Sequence, residues 1–157
     1  MPAARHDAFT VARRLDATPA QVFAAFAEPD RRRRWIRMPG SRAEYQEDFR
    51  VGGTERSTST FVLPEGEQRL ENLARHLEIE VGRRIVWAYT AAVDGVVRWA
   101  SLVTVELAAD PDGTGTDLTW TEQVAFLVVS ERPDDDLARL RGAVRLRLNG
   151  LDAALTP

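Results

Sequence analysis

Between positions 9 and 16 the apolar residues Phe9, Val11 and Leu15 alternate with polar ones, which predicts a first β-strand. The period then lengthens. Thr18-Pro19 reads as an N-cap with proline at the first helical position, and Val22, Phe23 and Phe26 recur at helical spacing, so 19–27 is a short amphipathic helix. Pro29 starts a second helical piece that runs through the arginines to Trp35, where Pro39-Gly40 ends it. From about position 43 the period is two again. Strands are expected at 44–49, 54–62, 70–81, 83–90, 97–108 and 116–128. The separators are Gly52-Gly53, Pro64-Glu65-Gly66, Gly82, Asp94-Gly95 and the 110–113 turn, which make an antiparallel meander.

Arg132-Pro133 and three aspartates then open a long helix, the acids lying at its positive end. Its residues Leu137, Leu140, Val144, Leu148, Leu151 and Leu155 form one apolar stripe. A sheet with one apolar face needs a cover, and this helix carries the matching stripe. The pattern predicts an α+β fold over residues 1–157 as a single domain: about seven antiparallel strands, two short helices after the first, and a C-terminal helix laid across the sheet.

One residue breaks its pattern. In TDLTWTEQVAF, at 116–126, the inward row is Leu118, Trp120, Glu122, Val124 and Phe126. A carboxylate in an apolar row is paired, or shifts its pKa, or serves a ligand. Glu122 therefore has three readings: it faces a cavity and meets a ligand as hydrogen-bond partner or general base, it pairs with an arginine, or a bulge near the strand end turns it out. Strand parity puts Arg98, next to Trp99, on the outer face.

Composition narrows the chemistry. The formal charge is −3, the hydrophobic and charged fractions are 44% and 29%, and there is no Cys. Disulfides, thiolate nucleophiles and Cys-ligated metals are excluded. All 21 basic residues are Arg, which removes Schiff-base lysines and lysine-dependent phosphate loops. With only His6 and His76 there is no histidine-rich metal site, so neither metal nor cofactor is expected. No apolar run is long enough to span a bilayer, and the first residues lack a secretory core, so a cytoplasmic protein without membrane or nucleic-acid partners is expected. The run Arg31-Arg32-Arg33-Arg34 radiates around a short helix among carboxylates and reads as a solvated face. His76, between Arg75 and Leu77, reads as outward.

Several segments together resemble the START-like (SRPBCC, helix-grip) superfamily, and more narrowly the homologues of the heat-shock-protein-90 ATPase activator. They are FTVARRLDATPAQVFAAFAEPDRRRRWI at 9–36, FRVGGTERS at 49–57, RRIVWAYT at 83–90, SLVTVELAADPDGTGTDLTWTEQVAF at 101–126 and LRGAVRLRLNGLDAAL at 140–155. The resemblance implies a cavity between sheet and C-terminal helix. Its lining would draw on the aromatic residues Trp35, Trp87, Tyr89, Trp99 and Trp120, with Val144 and Leu148 from the helix. Ser57, Ser59 and Phe61, in the hydroxyl-rich stretch 54–60, and Ser101 would join Glu122 in adding polar contacts; a solvated edge strand is the other reading of that stretch. No histidine near Ser101 in sequence suggests a triad.

Three functions follow from the resemblance: a domain that binds an apolar, partly oxygenated small molecule; a cyclase- or dehydratase-type enzyme with Glu122 as acid–base residue; and a partner protein of an ATPase. The strand after Gly53 or the helix near Trp35 could serve a homodimer.

Overall fold

Period-two alternation becomes seven strands because each short turn returns the chain beside the strand it has left. The computed structural model describes residues 3–156. In chain order the elements are β1 (Arg5–Leu15), α1 (Pro19–Ala27), α2 (Pro29–Arg32), β2 (Ser41–Gln46), β3 (Thr54–Leu63), β4 (Gly66–Glu80), β5 (Arg84–Val93), β6 (Val96–Ala109), β7 (Thr116–Phe126) and α3 (Pro133–Leu155). They form one antiparallel sheet in the order β1-β7-β6-β5-β4-β3-β2. From β2 to β7 every strand pairs with its chain neighbours, and β1 adds beside β7. Asp94 and Gly95, between β5 and β6, both have positive φ (51° and 79°), the two-residue turn that matches the twist of a hairpin.

The faces are separated cleanly on β7, where Thr116, Leu118, Trp120, Glu122, Val124 and Phe126 are all buried and the alternate residues are not. Three register shifts interrupt the pairing, between Ser41 and Glu44, His76 and Glu78, and Ala91 and Ala92. Such bulges bend the sheet around whatever covers its inner face. That cover is α3, which buries Leu140, Val144, Leu148 and Leu151 and leaves Leu146 exposed. The stripe recurs every three or four residues, so it stays on one side of the 23-residue helix. The helix α1 begins with a reciprocal cap: Gln21 N donates to Thr18 Oγ1 (3.3 Å), and Thr18 N donates to Gln21 Oε1 (2.8 Å). It buries Val22, Phe23, Ala25 and Phe26 against the same core.

The second helix is shorter than the pattern suggested. It stops at Arg32, and Trp35 lies in the turn beyond it. Its indole donates to the carbonyl of Ala25 (2.8 Å) and stands edge-on to Phe26, with centroids 4.8 Å apart. These contacts, and a solid apolar surround, fix the chain between α2 and β2.

Two further expectations are overturned here. His76 is buried, at 1% exposure, because the Gly52-Gly53 turn folds back over it. Gly52 N donates to the His76 carbonyl (2.8 Å), and His76 N donates to the Gly53 carbonyl (3.0 Å). Gly52 takes φ 81°, and a Cβ on Gly53 would lie 2.1 Å from the Asp48 carbonyl, so the double glycine is required on both counts. Phe49 closes the lid, its ring centroid 5.0 Å from that of His76. Arg32 is likewise buried rather than solvated. It donates to the Phe26 carbonyl (3.0 Å), to the Tyr45 hydroxyl (2.6 Å) and to Glu55, while Glu47 lies 3.6 Å away. Its neighbours Arg31 and Arg33 pair with Glu28 and Glu47.

Candidate functional site

Glu122 enters the interior from the middle of β7, opposite Phe9 on β1 and Val103 on β6. Its exposure is zero. Three donors converge on it: Tyr89 Oη (2.8 Å) and Ser101 Oγ (2.7 Å) on Oε2, and Trp120 Nε1 (3.2 Å) on Oε1. Tyr89 in turn accepts from Trp99 Nε1 (3.0 Å). The chain Trp99–Tyr89–Glu122–Ser101 spans β5, β6 and β7, so three adjacent strands hold one carboxylate. None of the arginines among the described residues pairs with it, and no bulge turns it outward. The burial of Tyr89, and then the adjacent Glu122 carboxylate, push the phenol pKa upward, so Tyr89 stays a hydroxyl donor.

A hollow of about 200 Å³ lies between this network and α3. Tyr89, Trp99, Trp120, Glu122, Leu140 and Val144 border it, with Met38 and Pro39 from the α2–β2 connection. It shares Trp99, Val93, Leu140 and Ala143 with a second, wider hollow of about 550 Å³ under the first turns of α3. It shares Tyr89, Asn72 and Arg147 with a small cleft of about 30 Å³ reaching Glu55, Ser57 and Trp87. These spaces neighbour one another along the inner face of the sheet. The largest depression, about 790 Å³, lies on the opposite face around Ala88, Ala100 and Leu102; it is broad and open. The inner system is the candidate site because it lies between sheet and helix, its central hollow is mostly apolar, and a few polar groups converge on it.

The expected lining residues divide accordingly. Tyr89, Trp99, Trp120, Glu122 and Val144 meet around the central hollow. Ser57 and Trp87 border the small cleft, and Trp87 stands edge-on to Trp120 at 5.2 Å. Ser101 reaches the site only through Glu122. Trp35 and Leu148 sit in solid packing away from the hollow. Ser59 donates to the Pro39 carbonyl (2.5 Å), and Phe61 lies against the Gly40 turn.

The reading of the sequence missed several lining residues, among them Leu140, Met38 and Pro39 and the polar Arg147, Asn72 and Arg98. Arg147 is three positions after Val144 and four before Leu151, which is helical spacing on the inner side, so its signal was present. Asn72 alternates with Leu70 and Ala74 and was equally legible. Arg98 was assigned to the outer face by parity. Parity fails there because Ala91 pairs with Trp99 and Ala92 with Val97, which leaves Arg98 as the extra residue of a bulge. It borders the wider hollow instead.

A sheet bent around one long helix, with a hollow between them, defines a helix-grip or START-like domain. The chain belongs to the family described as activator of Hsp90 ATPase homolog 1-like protein, whose model matches residues 16–156. It is similar to the solved structure of a protein from Rhizobium leguminosarum, at 33% identity over 97% of this chain and 95% of that one, with a TM-score of 0.81. The Mll3558 protein from Rhizobium loti is 38% identical over 98% and 99%, with a TM-score of 0.79. CalU16 from Micromonospora echinospora shares the fold at 21% identity, with a TM-score of 0.62 over 98% and 81%. No curated protein matches the chain. Among the described residues, no helix is long and apolar enough to cross a membrane, and no group of three or more His, Asp or Glu could hold a metal ion.

Proposed function

We propose that this chain binds an apolar, partly oxygenated small molecule between its sheet and α3. The observation that carries this reading is the hollow walled by Trp99, Trp120, Leu140 and Val144, with the Tyr89–Glu122 pair at its border. Burial of apolar ligand surface supplies affinity at roughly 25 cal/mol per Å² before the costs of association. The polar pair supplies orientation, since Tyr89 Oη retains a lone pair and Glu122 retains acceptor capacity. Ser57 and Trp87, at the small cleft, extend the contact surface proposed for the ligand.

The test is direct. Two of the four tryptophans border the hollow and a third stands edge-on to one of them, so a bound apolar molecule changes their emission. Titration with naphthalene-sized hydrophobic probes should give a saturable change, and Val144→Trp, which fills the hollow, should abolish it while the protein stays folded. An unsaturable response, or one untouched by V144W, removes the proposal.

A second reading uses the same hollow for catalysis of the cyclase or dehydratase kind, favoured by the placement of Glu122 beside two hydroxyls at the hollow's wall. There Glu122 takes or returns a proton on a bound polycarbonyl substrate. Glu122→Gln separates the two readings: turnover collapses in a catalyst, whereas a binder changes affinity only.

A further inference from the structure

The polar groups around the hollow are unequal. The carboxylates of the central hollow and the small cleft, Glu122 and Glu55, are already engaged from within the protein. Glu122 holds three donors, and Glu55 is paired to the buried Arg32. Two donors that face the same space are not engaged. Arg147, on α3, borders both the central hollow and the small cleft, and it takes part in none of the ion pairs or side-chain hydrogen bonds among the described residues. The amide of Asn72, on β4, borders the same two spaces and is equally free.

The position of Arg147 makes its freedom informative. Three residues after Val144 and four before Leu151, it belongs to the apolar side of α3, where leucine would close the sheet–helix seam. A half-buried guanidinium there has lost part of its hydration and gained no protein anion. Its planar fork suits a carboxylate, which accepts two parallel hydrogen bonds from it. At the other end of the hollows Arg98, carried inward by its bulge, adds a second cation, whose Nε is buried without a partner.

We propose that the ligand is an apolar carboxylic acid, its body between Trp99, Trp120 and Leu140 and its carboxylate on Arg147 with the Asn72 amide beside it. This rests on the binding function proposed above and assigns the ligand's charge. The Tyr89–Glu122 pair also borders the hollow, and its free capacity is for accepting hydrogen bonds, which favours a hydroxyl donor elsewhere on the ligand.

The experiment compares two probes of the same size, 2-naphthoate and the neutral 2-naphthalenemethanol, by isothermal titration calorimetry with the full chain. The wild type should bind the acid at least about 10-fold more tightly than the alcohol. Arg147→Met keeps the apolar stem and removes the charge; it should weaken the acid by about 10- to 100-fold and the alcohol by less than about twofold. Arg145→Met, at an exposed site on the same helix, should change neither. Equal binding of the two probes by the wild type, or an equal effect of R147M on both, overturns the assignment of charge and leaves the hollow's function standing. Failure of both probes to bind the wild type overturns the two together.

Discussion

Tyr89 and Glu122 are joined by a 2.8 Å hydrogen bond that crosses the strand lying between their own. Ser101, on that intervening strand, donates to the same carboxylate oxygen. The arrangement makes Glu122 a tie between β5, β6 and β7 whatever else it does. Glu122→Ala strands a phenol, a serine hydroxyl and an indole N–H in the interior, which should cost about 3 kcal/mol. Glu122→Gln keeps one acceptor but turns an N–H₂ toward donors, and about 1 kcal/mol is expected. Urea denaturation of the two variants checks both the sign and the order; an alanine variant as stable as the wild type would remove the tie.

Arg32 sets up a second buried polar centre. Its guanidinium is shared among the Phe26 carbonyl, Tyr45 and Glu55, with Glu47 within 3.6 Å. Removing it leaves the buried Glu55 carboxylate without its cation and Glu47 with only the exposed Arg33. Arg32→Met should therefore destabilise by roughly 3–5 kcal/mol, and Arg32→Lys should recover little, since a point charge cannot reproduce the fork. Adding Glu55→Gln to R32M should restore part of the loss. The double-mutant cycle from guanidinium denaturation measures that coupling, and simple additivity would show that the two residues act apart.

The strands and their faces were readable because a half-buried strand repeats every two residues and its turns carry Gly, Asp and Pro. That reading holds wherever the register is unbroken, as along β7 from Thr116 to Phe126. It fails at Arg98, where a bulge adds one residue without any local mark in the sequence. It fails at His76 for a different reason. That burial comes from the Gly52-Gly53 turn, more than twenty positions away, and a neighbour-by-neighbour pattern cannot see it. Arg32 was hidden inside a run of like residues, of which only the one facing Glu55 is drawn in. Glu122 stood out because it interrupts an apolar row, yet two of its three partners lie on other strands and none is an arginine.

The pH dependence of stability should report on His76. Burial first, then the Arg32 guanidinium, lower its pKa below the ordinary 6.5, against the pull of Glu55 at 3.8 Å. The folded protein thus keeps His76 neutral at a pH where the unfolded chain binds the proton. Below about pH 6.5 the unfolded state holds more protons, so stability is full above that value and falls as the pH drops through it. Denaturation midpoints at about pH 7.5 and pH 5.5 should fall for the wild type more than for His76→Gln. A midpoint that rises on acidification relative to H76Q would mean that the ion pair with Glu55 outweighs burial.

The grip of α3 on the sheet can be tested within one helix, with propensity held constant. Leu148 has zero exposure and packs among Leu15, Phe26, Leu118 and their neighbours in the core, whereas Leu146, two positions earlier, is 72% exposed. Truncation to alanine removes the same atoms at both sites and changes helix propensity by the same small amount. At Leu148 the lost burial adds to a cavity that close packing cannot collapse, so about 2–5 kcal/mol is expected. At Leu146 water already surrounds the side chain, and the change should stay within about 0.5 kcal/mol. Val144 borders the existing hollow, so Val144→Ala enlarges a space already present rather than opening a new one, and its cost should fall between the two. Thermal or chemical unfolding of the three variants gives the ranking. If L148A cost no more than L146A, α3 would not hold its stripe against the sheet, and the hollow beside it would have no roof.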